Sequence, residues 1–202
     1  MLRDNFHVVL GERVFSNEQE ISLGRLYEVN TLEAIIDRFQ GLLERDPEEQ
    51  EVQTFLEETP LLFHRFSPAR ILKRPPLLNQ FQADFAVVSR SGELVLVEIE
   101  KPGKRLLKKS GGRTAELIHA FDQVMDWLHL IDDHRITCLQ MMGLKNDDIT
   151  AIRGVVIIGR DKPYKREHLR KLKSSDSGSI TLLTYDDLLA GLEALIKEMR
   201  GL

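Results

Sequence analysis

Two carboxylates in a predicted β-hairpin are the residues whose types and spacing first indicate chemistry. The hairpin covers DFAVVSRSGELVLVEIE, with a three-residue loop at 90–92 in which Gly92 takes the left-handed position. Counting outward from this loop places Asp84 opposite Glu98 on one face of the two strands. Directly opposed residues have Cβ atoms ~5 Å apart, so the two carboxylates repel each other unless a positive charge lies between them.

A divalent cation is the natural partner for this pair. Mg²⁺ (or Mn²⁺) prefers one or two carboxylates together with waters and phosphate oxygens. Glu100 lies two residues beyond Glu98 and shares its face, whereas Lys101 points to the other face unless the strand ends or bulges. The alternative is that this end of the hairpin is exposed and its carboxylates are solvated surface charges.

The elements that must position the hairpin follow from the periodicity of apolar residues. The predicted helices cover 31–45, 47–59, 113–131, 165–173 and 186–199, and the predicted strands cover 81–90, 93–100, 154–160 and 179–185. Asp46 and Pro47 are an N-cap and first-turn pair for the second helix. Helices followed by a hairpin and then by alternating elements predict an α/β fold with a mixed β-sheet flanked by helices.

We divide the chain at residue 45. Residues 1–45 are expected to be an N-terminal appendage, with a small hairpin around Gly11 followed by a helix at 31–45. Residues 46–202 form the main domain. The appendage is interpreted as the remnant of a sensor or as an oligomer contact, and we expect a homo-oligomer.

Composition excludes several classes of protein. No apolar run among the 202 residues approaches the ~20 residues needed to cross a bilayer. The first residues lack the zones of a signal peptide, so we expect a cytoplasmic protein without a membrane partner. The single cysteine, Cys138, excludes an intramolecular disulfide and a multi-cysteine zinc site.

The net charge of −4 conceals an asymmetry along the chain. Residues 12–58 contain 13 acids and 4 bases, whereas residues 59–202 contain 18 acids and 23 bases. An acidic first part and a basic body indicate an anionic partner for the body. The alternative is that these charges only solvate the surface.

Five segments in order carry a resemblance to a known family. They are FLEETPLLF, ADFAVVSRSGELVLVEIEKPGKRLL, AFDQVMDWL, GVVIIGR and ITLLTYDDLL. Their order and character resemble the C-terminal domain of the Shedu (SduA) family, over about residues 48–190. The resemblance implies a PD-(D/E)XK core, the restriction-endonuclease-like fold. It also implies a metal-dependent DNA endonuclease of a bacterial antiphage defence system.

The resemblance also implies site residues. Asp84 and Glu98 match the metal ligands of the family, and Gln123 matches its helical glutamine. This glutamine would hydrogen-bond a site carboxylate, the attacking water or a phosphate. An acid on the preceding helix often completes such sites, and we assign this place to Glu51 with Glu48 as its rival.

One departure from the family pattern leaves three alternatives open. The family has a lysine where this chain has Glu100, and Lys101 comes one place later. Glu100 does the work itself, by binding metal or orienting the water, or a bulge brings Lys101 into the site. In the third alternative the site is impaired, and the chain is a nuclease-fold module that binds nucleic acid or mediates assembly.

Two basic clusters are candidates for binding the phosphate backbone of DNA without recognising its sequence. The first follows the hairpin and contains Lys104, Arg105, Lys108, Lys109 and Arg113; the second contains Lys165 and Arg166. The alternative is a solvated loop and helix. His119 precedes Gln123 by one helical turn, so it is a further candidate for approaching the site.

Overall fold

The chain folds around a mixed β-sheet with helices on both faces, as the sequence predicts. The computed structural model describes residues 8–9, 20–21, 26–174 and 178–201. The predicted hairpin around Gly11 lies outside the described residues, except for 8–9.

The described residues form five α-helices, ten β-strands and two 3₁₀ helices. The helices are α1 (Val29–Glu44), α2 (Glu49–Glu58), α3 (Ala115–Met141), α4 (Arg166–Ser174) and α5 (Tyr185–Met199). The strands are β1 (Val8–Val9), β2 (Glu20–Ile21), β3 (Leu26–Tyr27), β4 (Pro68–Lys73), β5 (Pro76–Leu77), β6 (Phe81–Gln82), β7 (Phe85–Ser89), β8 (Glu93–Ile99), β9 (Ala151–Ile157) and β10 (Ile180–Leu183). Two 3₁₀ helices cover Pro60–Phe66 and Asn146–Asp148.

The main sheet has six strands in the order β10–β9–β8–β7–β4–β2. The pairs β2–β4, β4–β7 and β7–β8 are antiparallel, and β8–β9 and β9–β10 are parallel. The hairpin strand β8 is therefore central and lies between an antiparallel and a parallel neighbour. A central strand holds its side chains more rigidly than an edge strand, because it has backbone hydrogen bonds on both sides.

Two hydrophobic cores lie on opposite faces of the sheet. Val95, Val97 and Ile99 of β8 face the core that contains α1, α2, α5 and the first 3₁₀ helix. Leu94 and Leu96 face the second core, with α3 and α4. Alternate residues of a strand point to opposite faces, so Glu98 belongs to the α3 side.

The sequence-based boundaries are wrong in several places, among them the end of α3, which extends to Met141 beyond the predicted residue 131. The predicted strand at 81–90 is two strands, β6 and β7, and Asp84 lies between them. Strand β4 and the 3₁₀ helix at Pro60–Phe66 were not predicted. Helix α2 begins at Glu49 with Glu48 as its N-cap, so the predicted Asp46 cap is wrong; Asp46 lies outside the helix in a left-handed conformation (φ 51°).

Helix α1 belongs to the same core as α5. Its residues Leu32, Ile36 and Phe39 are buried there, and the ring of Phe39 stacks on that of Phe55 with centroids 5.0 Å apart. The division of the chain at residue 45 remains a prediction. None of the helices in the described residues combines the length and apolar character that crossing a bilayer requires.

A glycine in β9 allows α3 to pack closely on the sheet. A Cβ atom at Gly154 would lie 2.2 Å from Cγ1 of Val124. We expect Gly154→Ala to lower the free energy of unfolding by about 1–3 kcal/mol, because overpacking forces neighbouring atoms apart. Urea unfolding measures the change.

The control for this prediction is Gly112→Ala. A Cβ atom at Gly112 would have no described atom within 4 Å, so the change should stay within about 0.5 kcal/mol. Equal unfolding midpoints for Gly154→Ala and Gly112→Ala would contradict the packing argument.

Candidate active site

The hairpin register brings the two predicted carboxylates together. Val88 pairs with Leu94, as the loop of residues 90–92 predicts, and Gly92 has the expected positive φ of 83°. Asp84 precedes β7, and its Oδ2 accepts a hydrogen bond of 2.8 Å from the backbone N–H of Ile99. This bond fixes the Asp84 side chain at the end of β8, beside Glu98.

The electrostatics of this pair are unfavourable without a cation. Glu98 is only 9% exposed, and Asp84 beside it is half-buried. Burial raises the pKa of Asp84 to about 6. Burial and the negative charge of Asp84 raise the pKa of Glu98 to about 10. At neutral pH the two groups therefore share one proton, which a divalent cation would displace.

Gln123 reaches the pair from the neighbouring layer. It lies on α3, and its Nε2 donates a hydrogen bond of 2.9 Å to Oε1 of Glu98. The side-chain amide of Gln123 therefore orients the carboxyl group of Glu98. The structure thus brings together Asp84, Glu98 and Gln123, which are far apart in the sequence.

Glu100 and Lys101 leave the end of β8 in different directions. Strand β8 pairs with β9 residue for residue through Ile99, so no bulge turns Lys101 toward the carboxylates. Instead, the Lys101 ammonium forms an ion pair with Glu48 at the start of α2, on the opposite face. The backbone of Glu100 is held by the hydroxyl of Tyr185, which donates to its carbonyl oxygen at 2.7 Å.

Glu100 remains close to the site. Burial raises its pKa, and the positive charges of Lys104 and His119 lower it. The negative charge of Glu100 is also among the causes that raise the pKa of Glu98. The approach of His119 to the site stays a prediction.

The acid that α2 contributes to this region is Glu49. Glu51 is exposed, and its Oε1 accepts a hydrogen bond of 3.1 Å from the backbone N–H of Glu48. Glu49 is half-buried, and its negative charge is among the causes that raise the pKa of Asp84. Sequence reasoning missed Glu49 because three glutamates lie within four positions and only the helix start determines which one faces the site.

The first basic cluster forms a small hairpin beside the site. A bridge pairs Leu107 with Arg113, and the hydroxyl of Tyr164 accepts a hydrogen bond of 2.7 Å from the backbone N–H of Leu106. The Arg113 guanidinium lies 4.9 Å from the centre of the Phe121 ring. The other predicted bases of this cluster are exposed or half-buried: Lys104, Arg105, Lys108 and Lys109.

The second cluster begins α4, across a cleft from this hairpin. Lys165 and Arg166 are exposed at the start of the helix. The cleft has a volume of about 460 Å³, and Arg113, His168 and Lys171 contribute positively charged or titratable groups to its lining. Of the predicted basic residues, Arg113 lines this cleft, and Lys165 and Arg166 lie at the start of the helix that forms its other side.

The donor set fits a cation that keeps much of its hydration shell. No group of three or more histidine, cysteine, aspartate or glutamate side chains in the described residues is placed to enclose a metal ion. A buried and a half-buried carboxylate without a direct ion pair suit Mg²⁺, which is usually held by one or two carboxylates, waters and substrate phosphates. They do not suit a structural zinc site, which requires four protein ligands.

A comparison with protein families identifies the family to which the chain belongs. The model of the Shedu protein SduA C-terminal family matches residues 46–189, which is most of the chain. The chain therefore belongs to the Shedu SduA C-terminal family, as the sequence resemblance predicts. This family implies an antiphage defence system. A search of curated proteins finds no significant match.

The raised pKa values predict how stability depends on pH. Unfolded Asp84 and Glu98 release their protons near the ordinary pKa values of 3.8 and 4.5, whereas the folded pair retains them to higher pH. The contribution of this pair to the free energy of unfolding of the metal-free protein should therefore fall as the pH rises above about 4. Chemical unfolding in EDTA across this range measures the dependence.

The variant Glu98→Gln tests the cause of this dependence. It removes the carboxyl group that must take up a proton on folding at this pH, and it keeps an acceptor for Gln123. At about pH 8 we expect it to raise the free energy of unfolding by at least about 1 kcal/mol, the equivalent of roughly one pKa unit. The exposed Glu58→Gln is the control and should change little. A Glu98→Gln variant as unstable as the wild type in EDTA would refute carboxylate repulsion.

Proposed function

We propose that the chain is a metal-dependent endonuclease that hydrolyses phosphodiester bonds of DNA in antiphage defence. The observation that supports this most directly is the buried pair of Asp84 and Glu98, oriented by Gln123 and bordered by a basic hairpin. Family membership supports the defence role, and the site geometry supports the hydrolytic chemistry.

Asp84 and Glu98 would hold the metal ion, Mg²⁺ or Mn²⁺. When bound, the ion lowers the pKa of a coordinated water and neutralises charge on the phosphate. Gln123 keeps the Glu98 carboxylate in one orientation through its hydrogen bond. The N–H of Ile99 does the same for Asp84, so both ligands are fixed before substrate binds.

Glu100 takes the place of the usual lysine in this proposal. It lies on the face of Glu98, and burial raises its pKa, which makes its carboxylate a better proton acceptor. We assign Glu100 to orient the attacking water and accept its proton. Lys101 is left out of the reaction, because its ammonium pairs with Glu48 on the other face.

The basic residues would bind the DNA backbone on either side of the cleft. We assign this role to Lys104, Arg105, Lys108, Lys109, Arg113, Lys165 and Arg166. Most of these side chains are exposed, as phosphate contacts require. We further propose a cytoplasmic homo-oligomer, in which residues 1–45 provide a subunit contact or a remnant sensor.

A second function is an impaired nuclease-fold module that binds nucleic acid or mediates assembly. Glu100 in the lysine position favours it, since a third negative charge near the pair repels a phosphate. The lack of three clustered ligand side chains in the described residues favours it too. Metal-dependent cleavage distinguishes the two functions.

Cleavage of supercoiled and linear DNA by the pure protein tests the proposal. We expect cleavage in Mg²⁺ or Mn²⁺ and none in EDTA. Asp84→Asn and Glu98→Gln should each lower the rate about 100-fold or more, because the ion contributes several kcal/mol and 1.4 kcal/mol is tenfold. Gln123→Ala should lower it about 10- to 100-fold. The control is the exposed Glu58→Gln, which should keep the wild-type rate. DNA binding without cleavage in every metal would favour the second function.

A pair of variants separates Glu100 from Lys101. We expect Glu100→Gln to lower the cleavage rate by about 100-fold or more, the usual contribution of a general base. Lys101→Gln should retain the wild-type rate within a few-fold. The assignment would be wrong if Lys101→Gln were inactive while Glu100→Gln remained active.

A further inference from the structure

A cation that neither the sequence motifs nor the proposed reaction uses lies at the edge of the site. Arg74 follows β4 directly, and its backbone N–H donates a hydrogen bond of 2.8 Å to the carbonyl oxygen of Asp84. Its φ is +47°, a left-handed conformation that is uncommon for arginine and costs about 1 kcal/mol or more. The fold therefore holds a strained residue next to a proposed metal ligand.

Two glutamine side chains of α2 hold the guanidinium of Arg74. Its Nη2 donates to Oε1 of Gln50 at 3.0 Å and to Oε1 of Gln53 at 3.2 Å. Gln53 is only 5% exposed, so its amide is a fixed acceptor rather than a mobile surface group. The guanidinium is thus held in one place by neutral oxygens.

Neutral acceptors leave the Arg74 guanidinium without a direct ion pair. No carboxylate of the described residues lies within ion-pair distance of it. Neighbouring cations differ in this respect, because Lys73 pairs with Glu57 at 3.6 Å and Lys101 pairs with Glu48.

The remaining donors of Arg74 suit a phosphate. A guanidinium has five N–H donors, and the two on Nη2 are directed to the glutamines. The Nε–H and the two N–H groups of Nη1 have no partner among the described residues. This planar set of donors matches two oxygens of a phosphate group. The charge also acts on the site, since Arg74 is among the groups that lower the pKa of Asp84.

We propose that Arg74 binds a backbone phosphate of the nucleic acid beside Asp84 and Glu98, and that Gln50 and Gln53 are its positioning residues. This inference rests on the proposed function in one respect, that nucleic acid is the substrate. Arg74 would hold the strand on the α2 side of the site, opposite the basic hairpin. In the alternative, Arg74 only links β4 to α2 and does not contact nucleic acid.

Binding of a short labelled DNA duplex, measured by fluorescence anisotropy in Ca²⁺ over a series of salt concentrations, tests the inference. We expect Arg74→Gln to weaken binding about tenfold at low salt and to reduce the slope of log affinity against log salt by about one. Arg74→Lys keeps the charge and loses the planar donors, so its affinity should fall less and its slope should match the wild type.

The matched control is Lys73→Gln, which makes the same change in net charge one residue away. Its affinity should stay within about two-fold of the wild type, because Glu57 already neutralises Lys73. Thermal unfolding of each variant shows whether it is folded. Arg74→Lys and Gln53→Leu test the same phosphate contact if Arg74→Gln does not fold, and Gln53→Leu should weaken binding without changing the salt slope.

The outcomes separate this inference from the proposed function. Wild-type affinity and slope in Arg74→Gln, or weak binding by Lys73→Gln to the same extent, would overturn the role of Arg74 even if cleavage is observed. Weak binding by Arg74→Gln alone, in a protein that never cleaves, would retain Arg74 and reject the nuclease. A wild-type protein that does not bind DNA would overturn both.

Discussion

The site depends on the burial of two carboxylates side by side at the open end of the β7–β8 hairpin. Burial opposes ionisation of both Asp84 and Glu98, and the negative charge of Asp84 further opposes that of Glu98, while the rest of the fold keeps the two groups in place. Strand β8 contributes through its central position, since its backbone pairs on both sides. The backbone N–H of Ile99 donates a hydrogen bond to Asp84, and the side chain of Gln123 donates one to Glu98. A cation would turn this unfavourable arrangement into a binding site.

The two faces of β8 carry different kinds of side chain near its end. The α3 face carries Glu98, with Gln123 above it, and the other face carries the apolar residues that pack on α1, α2 and α5. Lys101 follows the second face and pairs with Glu48. A lysine shifted by one place in sequence is therefore shifted to the other side of the sheet, because side chains alternate. The one-place shift of the lysine consequently changes which charged groups lie near Asp84 and Glu98, and not merely the spacing of the motif.

Helix α2 connects the acidic first part of the chain to the basic body. Its first turn places Glu49 near the carboxylates and Glu48 on Lys101. The same helix supplies the neutral amides of Gln50 and Gln53 to Arg74. Cations around the site therefore fall into two groups, those neutralised by an acid and those whose charge remains available to an anion. Local pairing, rather than the net charge of −4, determines which surface suits a polyanion.

The sequence by itself determined the mixed α/β fold, the hairpin register and the pairing of Asp84 with Glu98, because strand alternation and loop length are local properties. The five sequence segments also sufficed to identify the family. Only the tertiary structure decided that Glu49 rather than Glu51 faces the site, since this depends on where α2 begins. It alone showed that Lys101 turns away and that Arg74 lies beside Asp84. Those contacts join residues of different elements, and their distances depend on how the layers pack.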